Sequence, residues 1–504
     1  MNDHVNVLAA MKKAHEAPIT DPRLAAIAGL EKSTFAQAVS ATSGLTYYDL
    51  ETGAKLLYPV LTPLRNETPR VSGKGGIQAA WRGVTAINTS GLRVGVSGGN
   101  RGGVMAVTTK DYSASYKGIG IESNVDFEAQ YAGQGFDDIR ALAARQGLEA
   151  LMLGEEALIL GGNSGANLAL GTTPTPTLTG STSGGALAAQ TWSVICVALT
   201  LDGVINGSVA GGIQASITRT NADGSSDTYG GGAARKSSSA TVATTGSTSS
   251  ISASVAAVNG ALGYAWFWGA AGSELLGAIT TINSVVVTAA ATGTQTAASL
   301  PATDYSGNSL VFDGLLTLAQ SSGSGAYVLT QPTGTAGAGT PLTADGAGGI
   351  VEIDQVLKYQ WDYYRLSPDT IWVSSQEAQN IGKKILAGGT SAAQRFVIQT
   401  TPDALAGGIM AVAYRNKFSM AGAKTLDIKI HPNLPNGTTL FTSKSLPYPL
   451  ANVANVFQIR TRQDYYQIEW PLRSRKYEYG VYADEVLQHF FPPSMAVITN
   501  IGNG

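Results

Sequence analysis

Apolar and polar residues alternate with a period of two in two separate regions of this chain. In the first, Ile77, Ala79 and Trp81 alternate with Gln78, Ala80 and Arg82. A Gly-rich stretch (Gly98, Gly99, Gly102, Gly103) follows, and then Ile119, Ile121, Val125 and Phe127 alternate with Gly120, Glu122, Asn124, Asp126 and Glu128. Strict alternation buries one face of a strand and wets the other, so residues 71–129 are predicted to form a hairpin-like β-ribbon. Its second arm, residues 118–129, could extend ~40 Å at ~3.3 Å per residue. A two-stranded unit is marginal alone, so the ribbon is expected to lean on something else. In the second region Phe457 and Ile459 alternate with Gln458 and Arg460. Tyr466, Ile468 and Trp470 alternate with Gln467 and Glu469, and Tyr477, Tyr479 and Val481 with Lys476 and Glu478. With residues 496–498, these runs predict an antiparallel meander.

Helical spacing takes over between the two. Ile139, Leu142, Leu148, Leu151, Met152, Leu158 and Ile159 make one broad apolar face over residues 136–160. Asp137 and Asp138 sit in the first turn, where carboxylates complement the helix dipole, and Gly161-Gly162-Asn163 ends the run. Gly147 and Gly154 each cost ~1 kcal/mol in a helix relative to Ala, so close contacts are expected there. Further on, residues 351–365 and 376–386 read as helices, and 370–374, 409–414 and 425–431 as strands. Residues 1–70 read as an arm. Helical fragments at 5–14 and 33–39 are broken by Pro18, Pro22 and Gly29, and Pro59, Pro63 and Pro69 keep the rest extended. Tyr47, Tyr48, Leu56, Leu57 and Tyr58 are more apolar than a solvated tail carries, so the arm is expected to order against neighbouring subunits.

The middle of the chain is chemically blank. Residues 160–350 hold three of the 33 basic residues (Arg219, Arg235, Lys236), seven of the 35 acidic ones and no His. Runs at 191–201, 212–219, 251–258, 263–269, 278–289 and 308–319 read as strands, with turn pairs at Asn206-Gly207 and Asn259-Gly260. Short strands at this spacing predict a sandwich. The pair 251–258 and 264–268 is similar to consecutive Ig-like strands with a core Trp, although Cys196 is the single cysteine.

At 504 residues the chain should hold two or more domains. A formal charge of -2 makes no global electrostatic case for nucleic acid. One cysteine forbids an intrachain disulfide. The first 21 residues lack the order of a signal peptide, and the most apolar run, 261–271, is Gly-broken and far short of the ~20 residues a membrane span needs. Assembly in the cytoplasm is therefore expected, with no membrane partner.

Candidate chemistry is sparse. Gly95-Val96-Ser97-Gly98-Gly99 fits the nucleophile-elbow pattern, with His431 and His489 downstream. Yet the following Asn100-Arg101-Gly102-Gly103 is a poor helix start, and among 61 glycines a chance match is the better reading. His4, His15, His431 and His489 show no metal-ligand spacing. Gly382-Lys383-Lys384 lacks the rest of a phosphate-binding loop. The adjacent pairs Asp137/Asp138 and Glu155/Glu156 do not share a helix face, and read as solvated or helix-end charges. Arg460, Arg462, Arg473, Arg475 and Lys476, interleaved with Tyr465, Tyr466 and Trp470, could mimic a nucleic-acid surface. Asp464, Glu469 and Glu478 temper that charge, so the better reading is a sheet with an aromatic core face and a basic outer face. No catalytic, cofactor or metal residues are assigned.

The order of arm, β-ribbon, long helix, mixed α/β region and closing β-runs resembles the HK97-like fold of tailed-bacteriophage major capsid proteins. The similar stretches are the ribbon at 71–129 (that family's E-loop), FDDIRALAARQGLEALMLGEEALILGGN (its spine helix), SPDTIWVSSQEAQNIGKKIL (its A-domain) and YGVYADEVLQHFFPPSMAVITNI (its P-domain sheet). They cover roughly 30–165 and 349–504. The resemblance implies an α+β chain with an N-terminal arm at 1–70, an E-loop at 71–129, a spine helix at 130–169, an inserted all-β, Ig-like sandwich at 170–348, an A-domain at 349–454 and a P-domain sheet at 455–504. It further implies hexamers and pentamers in an icosahedral head, the virion as location, portal and scaffolding or decoration proteins as partners, and double-stranded DNA enclosed without sequence-specific binding. Trp81, Ile119, Ile121, Val125 and Phe127 are the expected assembly contacts. An encapsulin-like shell around enzyme cargo shares the fold and stays open. So does a β-rich hydrolase or adhesin resting on the middle block and Ser97.

Overall fold

The computed structural model describes residues 57–87, 95–133, 138–387, 411–420 and 424–504, and every structural statement concerns these residues. The helical fragments expected at 5–14 and 33–39, and Asp137, lie outside them.

The long helix runs Ile139–Gly161. It begins where the Asp138 carboxylate accepts the N–H groups of Arg140 (3.1 Å) and Ala141 (3.2 Å), satisfying two of the donors a first turn leaves open. It ends at Gly162, whose N–H reaches back to Leu158 O at 2.9 Å. One helix face lies on a four-stranded sheet ordered Arg70–Ser72, Phe457–Glu469, Lys476–His489, Lys117–Asp126. Leu151 meets Ile119, Val481 and Ala483 across that contact. The close approach expected at the helix glycines is not met among the described residues. A Cβ on Gly147 would sit an ordinary 3.8 Å from Val481, and one on Gly154 would meet nothing within 4 Å.

A six-stranded sheet follows, ordered Tyr327–Thr330, Ala496–Thr499, Thr439–Thr442, Thr370–Val373, Lys424–Ile430, Ala413–Asn416. Period-two geometry divides its side chains between two cores. Ile371, Val373, Phe441 and Ile498 pack with helices Val351–Tyr364 and Ser375–Ala387 through Ile353, Val356, Leu357 and Ile381. Trp372, Leu440 and Val497 face the other way, into the core that holds Ile159, Leu160, Phe457 and Leu487.

In the middle block, a three-stranded sheet (Ser284–Val287, Ser250–Ser254, Thr177–Ser181) faces a four-stranded one (Leu275–Thr280, Gly263–Gly269, Thr191–Leu199, Ala240–Ala243). Between them lie Trp192, Val194, Cys196, Tyr264, Trp266 and Trp268 from one sheet and Ile251, Ala253, Val285 and Val287 from the other. The second face of the four-stranded sheet is also covered, with Ile195, Val197 and Leu199 packing on Ile213 and Phe267. Double burial explains why residues 194–199 of this strand read as an unbroken apolar run. The indole N–H of Trp266 donates to Thr280 Oγ1 at 2.9 Å and that of Trp268 to Ala289 O at 2.9 Å, so neither large ring leaves a polar atom stranded.

Five sequence expectations change. The ribbon pairs Gln78–Ile87 with Val107–Ser115, whereas Lys117–Asp126 pairs with Lys476–His489 in the four-stranded sheet. Alternation reports a half-buried strand but not its partner. The closing meander is one antiparallel pair, Phe457–Glu469 with Lys476–His489. After the Pro492–Ser494 turn, Ala496–Thr499 crosses to the six-stranded sheet and runs parallel to Tyr327–Thr330. Residues 278–289 split into two strands, and the run at 308–319 becomes a turn and helix Leu315–Gln320. The block 170–348 does not part cleanly from its flanks, because Phe312, Leu315, Leu316 and Ala319 belong to the main core and Tyr327–Thr330 edges the six-stranded sheet. Scarcity of charge marks burial and loop composition along a stretch, not membership of one packing unit.

Candidate functional site

The ribbon is the least supported element. Its strands are ten and nine residues long, about 33 Å at ~3.3 Å per residue. At its root Ala79 is buried, and Trp81 stacks on Tyr112 (5.7 Å between centroids) and meets Phe490 edge-on (5.8 Å). Beyond Gly83 every residue of the first strand is exposed, as is the second strand from Val107 to Asp111. The exposed residues include Val84 (66%), Ile87, Val107, Val104 (91%) and Met105. The bidentate Arg82–Asp111 pair spans the strands but is itself exposed, and such pairs add little. Beyond its root at Ala79 and Trp81, the ribbon leaves these apolar side chains uncovered by the described residues.

The five residues read as assembly contacts separate. Ile119 and Val125 are buried within the chain, 9% and 4% exposed, which gives them a role in the fold of the subunit itself. Both occupy the sheet strand next to Lys476–His489, and Gly120 between them lets the Tyr482 ring lie across the backbone, where a Cβ would fall 2.1 Å from it. Ile121 is 38% exposed. Phe127 opens the short helix Phe127–Gly133, half-buried and edge-on to Tyr477 at 4.6 Å. Trp81 anchors the ribbon to its own body. The freely exposed residues, Val84, Ile87, Val104, Met105 and Val107, escaped the sequence reading because their stretch does not alternate: both faces are wet.

A second cluster ties residues 63–72 to the long helix. Glu155 and Glu156 are fully buried, contrary to the expectation of solvated charges. Glu156 accepts the backbone N–H groups of Leu64 (2.9 Å) and Arg65 (2.6 Å) and faces His431 Nε2 at 2.7 Å. His431 Nδ1 accepts from Asn433 N–H, so Nε2 carries the proton that goes to Glu156. Glu155 accepts from Arg65 Nε at 2.9 Å, from Arg70 Nη1 and from the Tyr465 hydroxyl. Arg70 Nη2 also donates to Asp464 (2.7 Å) and to buried Glu485 (2.7 Å). Burial, with the Glu155 carboxylate beside it, pushes the Glu485 carboxyl up to about 8. Burial and the same carboxylate raise the Tyr465 phenol. Neighbouring positions i and i+1 point to different sides of a helix, and here each side meets its own donors from residues 64–70.

The remaining candidates resolve by geometry. Ser97 lies in an exposed turn and accepts from Asn100 Nδ2 at 2.6 Å, while His431 and His489 are buried in other contacts. His489 Nδ1 accepts the Phe491 N–H at 3.2 Å, and burial lowers its imidazole to about 3. Four of the five basic residues are paired with carboxylates, Arg462 with Asp484 (2.7 Å), Arg473 with Glu478 (3.1 Å), Lys476 with Asp126 (3.4 Å) and Arg475 with Glu128 (3.9 Å), while Arg460 reaches the Gln488 side chain instead. Among the described residues no His, Cys, Asp and Glu group is arranged to hold a metal, and no helix is long and apolar enough to cross a membrane.

No protein-family description and no curated protein matches the chain. Among solved structures it is similar to the capsid of the native GTA particle (9% identity, 93% of this chain, 100% of that chain, TM-score 0.41). It is similar also to the capsid of Myoviridae phage XM1 (10% identity, 90% and 97%, TM-score 0.39). A third likeness is to the holo-SrpI encapsulin complex of Synechococcus elongatus (9% identity, 90% and 93%, TM-score 0.32). At these scores function has to be read from the chain's own geometry.

Proposed function

We propose that this chain is a major capsid protein of the HK97-like kind, a non-enzymatic subunit that tiles a closed icosahedral shell around double-stranded DNA. The observation that carries this reading is the ribbon: Val84, Ile87, Val104, Met105 and Val107 stand exposed on a projection with no cover from the described residues of its own subunit. Symmetric assembly supplies that cover identically to every copy. In this reading the exposed ribbon residues carry the inter-subunit contact. Ile121 and Phe127 lie near its edge, and Trp81 holds the ribbon at its working angle. The long helix and four-stranded sheet are the P-domain, the six-stranded sheet with its two helices the A-domain, and the two facing sheets within 177–287 an inserted, Ig-like sandwich. Portal and scaffolding or decoration proteins are the other partners, and the virion, assembled in the host cytoplasm, is the location.

Purified full-length protein, supplied with any scaffolding partner, should give pentamers, hexamers or shells by negative-stain microscopy. A monomer that persists under these conditions overturns the proposal. Nuclease-protected DNA inside particles from the native host supports a phage head, whereas protein cargo there would replace it with a nanocompartment.

A further inference from the structure

The outer edge of the strand Lys117–Asp126 is open. The strand pairs with Lys476–His489 on one side, and on the other no backbone group of Gly118–Ile121 is hydrogen-bonded among the described residues. That edge is one wall of a groove of about 430 Å³, and its other walls come from the long helix and the middle block. Leu151, Leu158, Leu201, Ile205 and Val311 give the groove an apolar lining, and Gly154 leaves the helix backbone bare there, with nothing within 4 Å of a Cβ. One charge in the groove is uncompensated. Asp202 accepts from Asn206 Nδ2 at 2.8 Å, has no cation partner among the described residues, and burial raises its carboxyl. The other charged groups on the groove are taken, Glu155 by Arg65 and Arg70, and Arg219 by Asp227.

We propose that this groove receives residues 101–106 of a second copy as an added strand on the Gly118–Ile121 edge, with Arg101 paired to Asp202 and Met105 on the apolar lining. An unpaired strand edge beside an apolar floor takes an extended chain, with main-chain bonds for grip and alternate side chains for selectivity. The ribbon carries a matching segment. Residues 101–106 have no regular structure, and their backbone groups make no hydrogen bond among the described residues. Met105 is exposed, and so is Arg101, which has no carboxylate partner among the described residues. In an extended chain Arg101, Gly103 and Met105 share one face, and the two long side chains stand ~13 Å apart at ~3.3 Å per residue, with only a glycine between them. The segment cannot come from the same subunit. Val107–Ser115 leads straight into Lys117–Asp126, so the ribbon tip lies the length of that strand away from the groove. The docking deepens the proposed function and rests on it for its place in a shell, yet it can be read on soluble subunits.

The test mixes full-length Met105→Cys and Ile205→Cys subunits under mild oxidation and follows the disulfide-linked heterodimer by mass spectrometry. Cys196 is buried and adds no background. A link should form between the two variants. Adding Asp202→Arg to the Ile205→Cys subunit should slow it about tenfold, the scale of one charge-assisted hydrogen bond. Arg101→Asp in the Met105→Cys subunit should then restore the rate. No heterodimer, an unchanged rate with Asp202→Arg, or no recovery when both charges are exchanged overturns the proposal. Should Asp202→Arg fail to fold, Asp202→Asn takes its place with the same loss expected, and an unchanged rate there also overturns it. Shells that form without the link refute the docking alone, whereas a charge-dependent link in a protein that never forms shells upholds the docking and refutes the shell.

Discussion

Substituting Val84 and Val104 with Asp separates folding from assembly. These side chains are 66% and 91% exposed in the subunit, so the subunit gives up almost no contact, and surface changes of this kind usually stay within ~0.5 kcal/mol. Covering them in an assembly is another matter. Fully burying a Val side chain is worth ~1.5–3 kcal/mol. Scaled by the exposed fractions, the two together are worth about 2.5–4.5 kcal/mol per copy, or roughly two to three powers of ten in each contact. A closed shell repeats the loss in every subunit. The control is Ile119→Asp, which drives an unpaired charge into the contact with Leu151, Val481 and Ala483. This should destabilise the subunit by several kcal/mol, a large part of the ~5–15 kcal/mol that holds a domain together. The assay compares subunit melting with particle yield for each variant under one assembly condition. Val84→Asp/Val104→Asp should melt like wild type and yield few or no particles, whereas Ile119→Asp should fail at the melt. Normal particle yield from the ribbon variant, or a lowered melt, would refute the assignment of that surface to assembly.

Trp266→Ala empties the centre of the two facing sheets and removes the indole donor from Thr280 Oγ1, which keeps its own bond to Ile282 O. It should cost ~3–5 kcal/mol in denaturant unfolding, and a loss below ~1 kcal/mol would mean that the sheets do not rely on that ring. His489 is held neutral by burial down to about 3, below the ordinary imidazole value of 6.5. The folded state therefore refuses a proton that the unfolded chain takes up, and its stabilising contribution, present above 6.5, is lost progressively as pH falls towards about 3. Imidazole NMR shifts that titrate near 6.5 in the folded protein would contradict this, whereas a flat signal down to about pH 4 agrees with it.

The long helix, the helices at 351–364 and 375–387, and most strands were legible because a helix face or half-buried strand writes its period into consecutive residues. Gly162 marks the helix end by local chemistry, and Asp138, expected inside the first turn, is instead the N-cap of a helix that begins at Ile139. Residues 194–199 and 264–268 announce a core by being apolar throughout. What the alternation could not carry was partnership. Ile119 and Val125 show the same pattern whether they pair with 77–82 or with 476–489, because one face is buried either way, and only the three-dimensional pairing placed them inside the subunit. The strand at 496–499 looked like one more turn of a meander until the Pro492–Ser494 turn carried it to another sheet. Glu155 and Glu156 looked solvated because their donors, Arg65, Arg70, Tyr465 and His431, come from positions up to 310 residues away. The exposed ribbon escaped for the opposite reason: no contact within the subunit selects its pattern. Local periodicity and capping reside in neighbouring residues and can be read from them. Strand pairing, charge compensation and the surface left uncovered depend on which distant segments share a site, and the folded chain decides that.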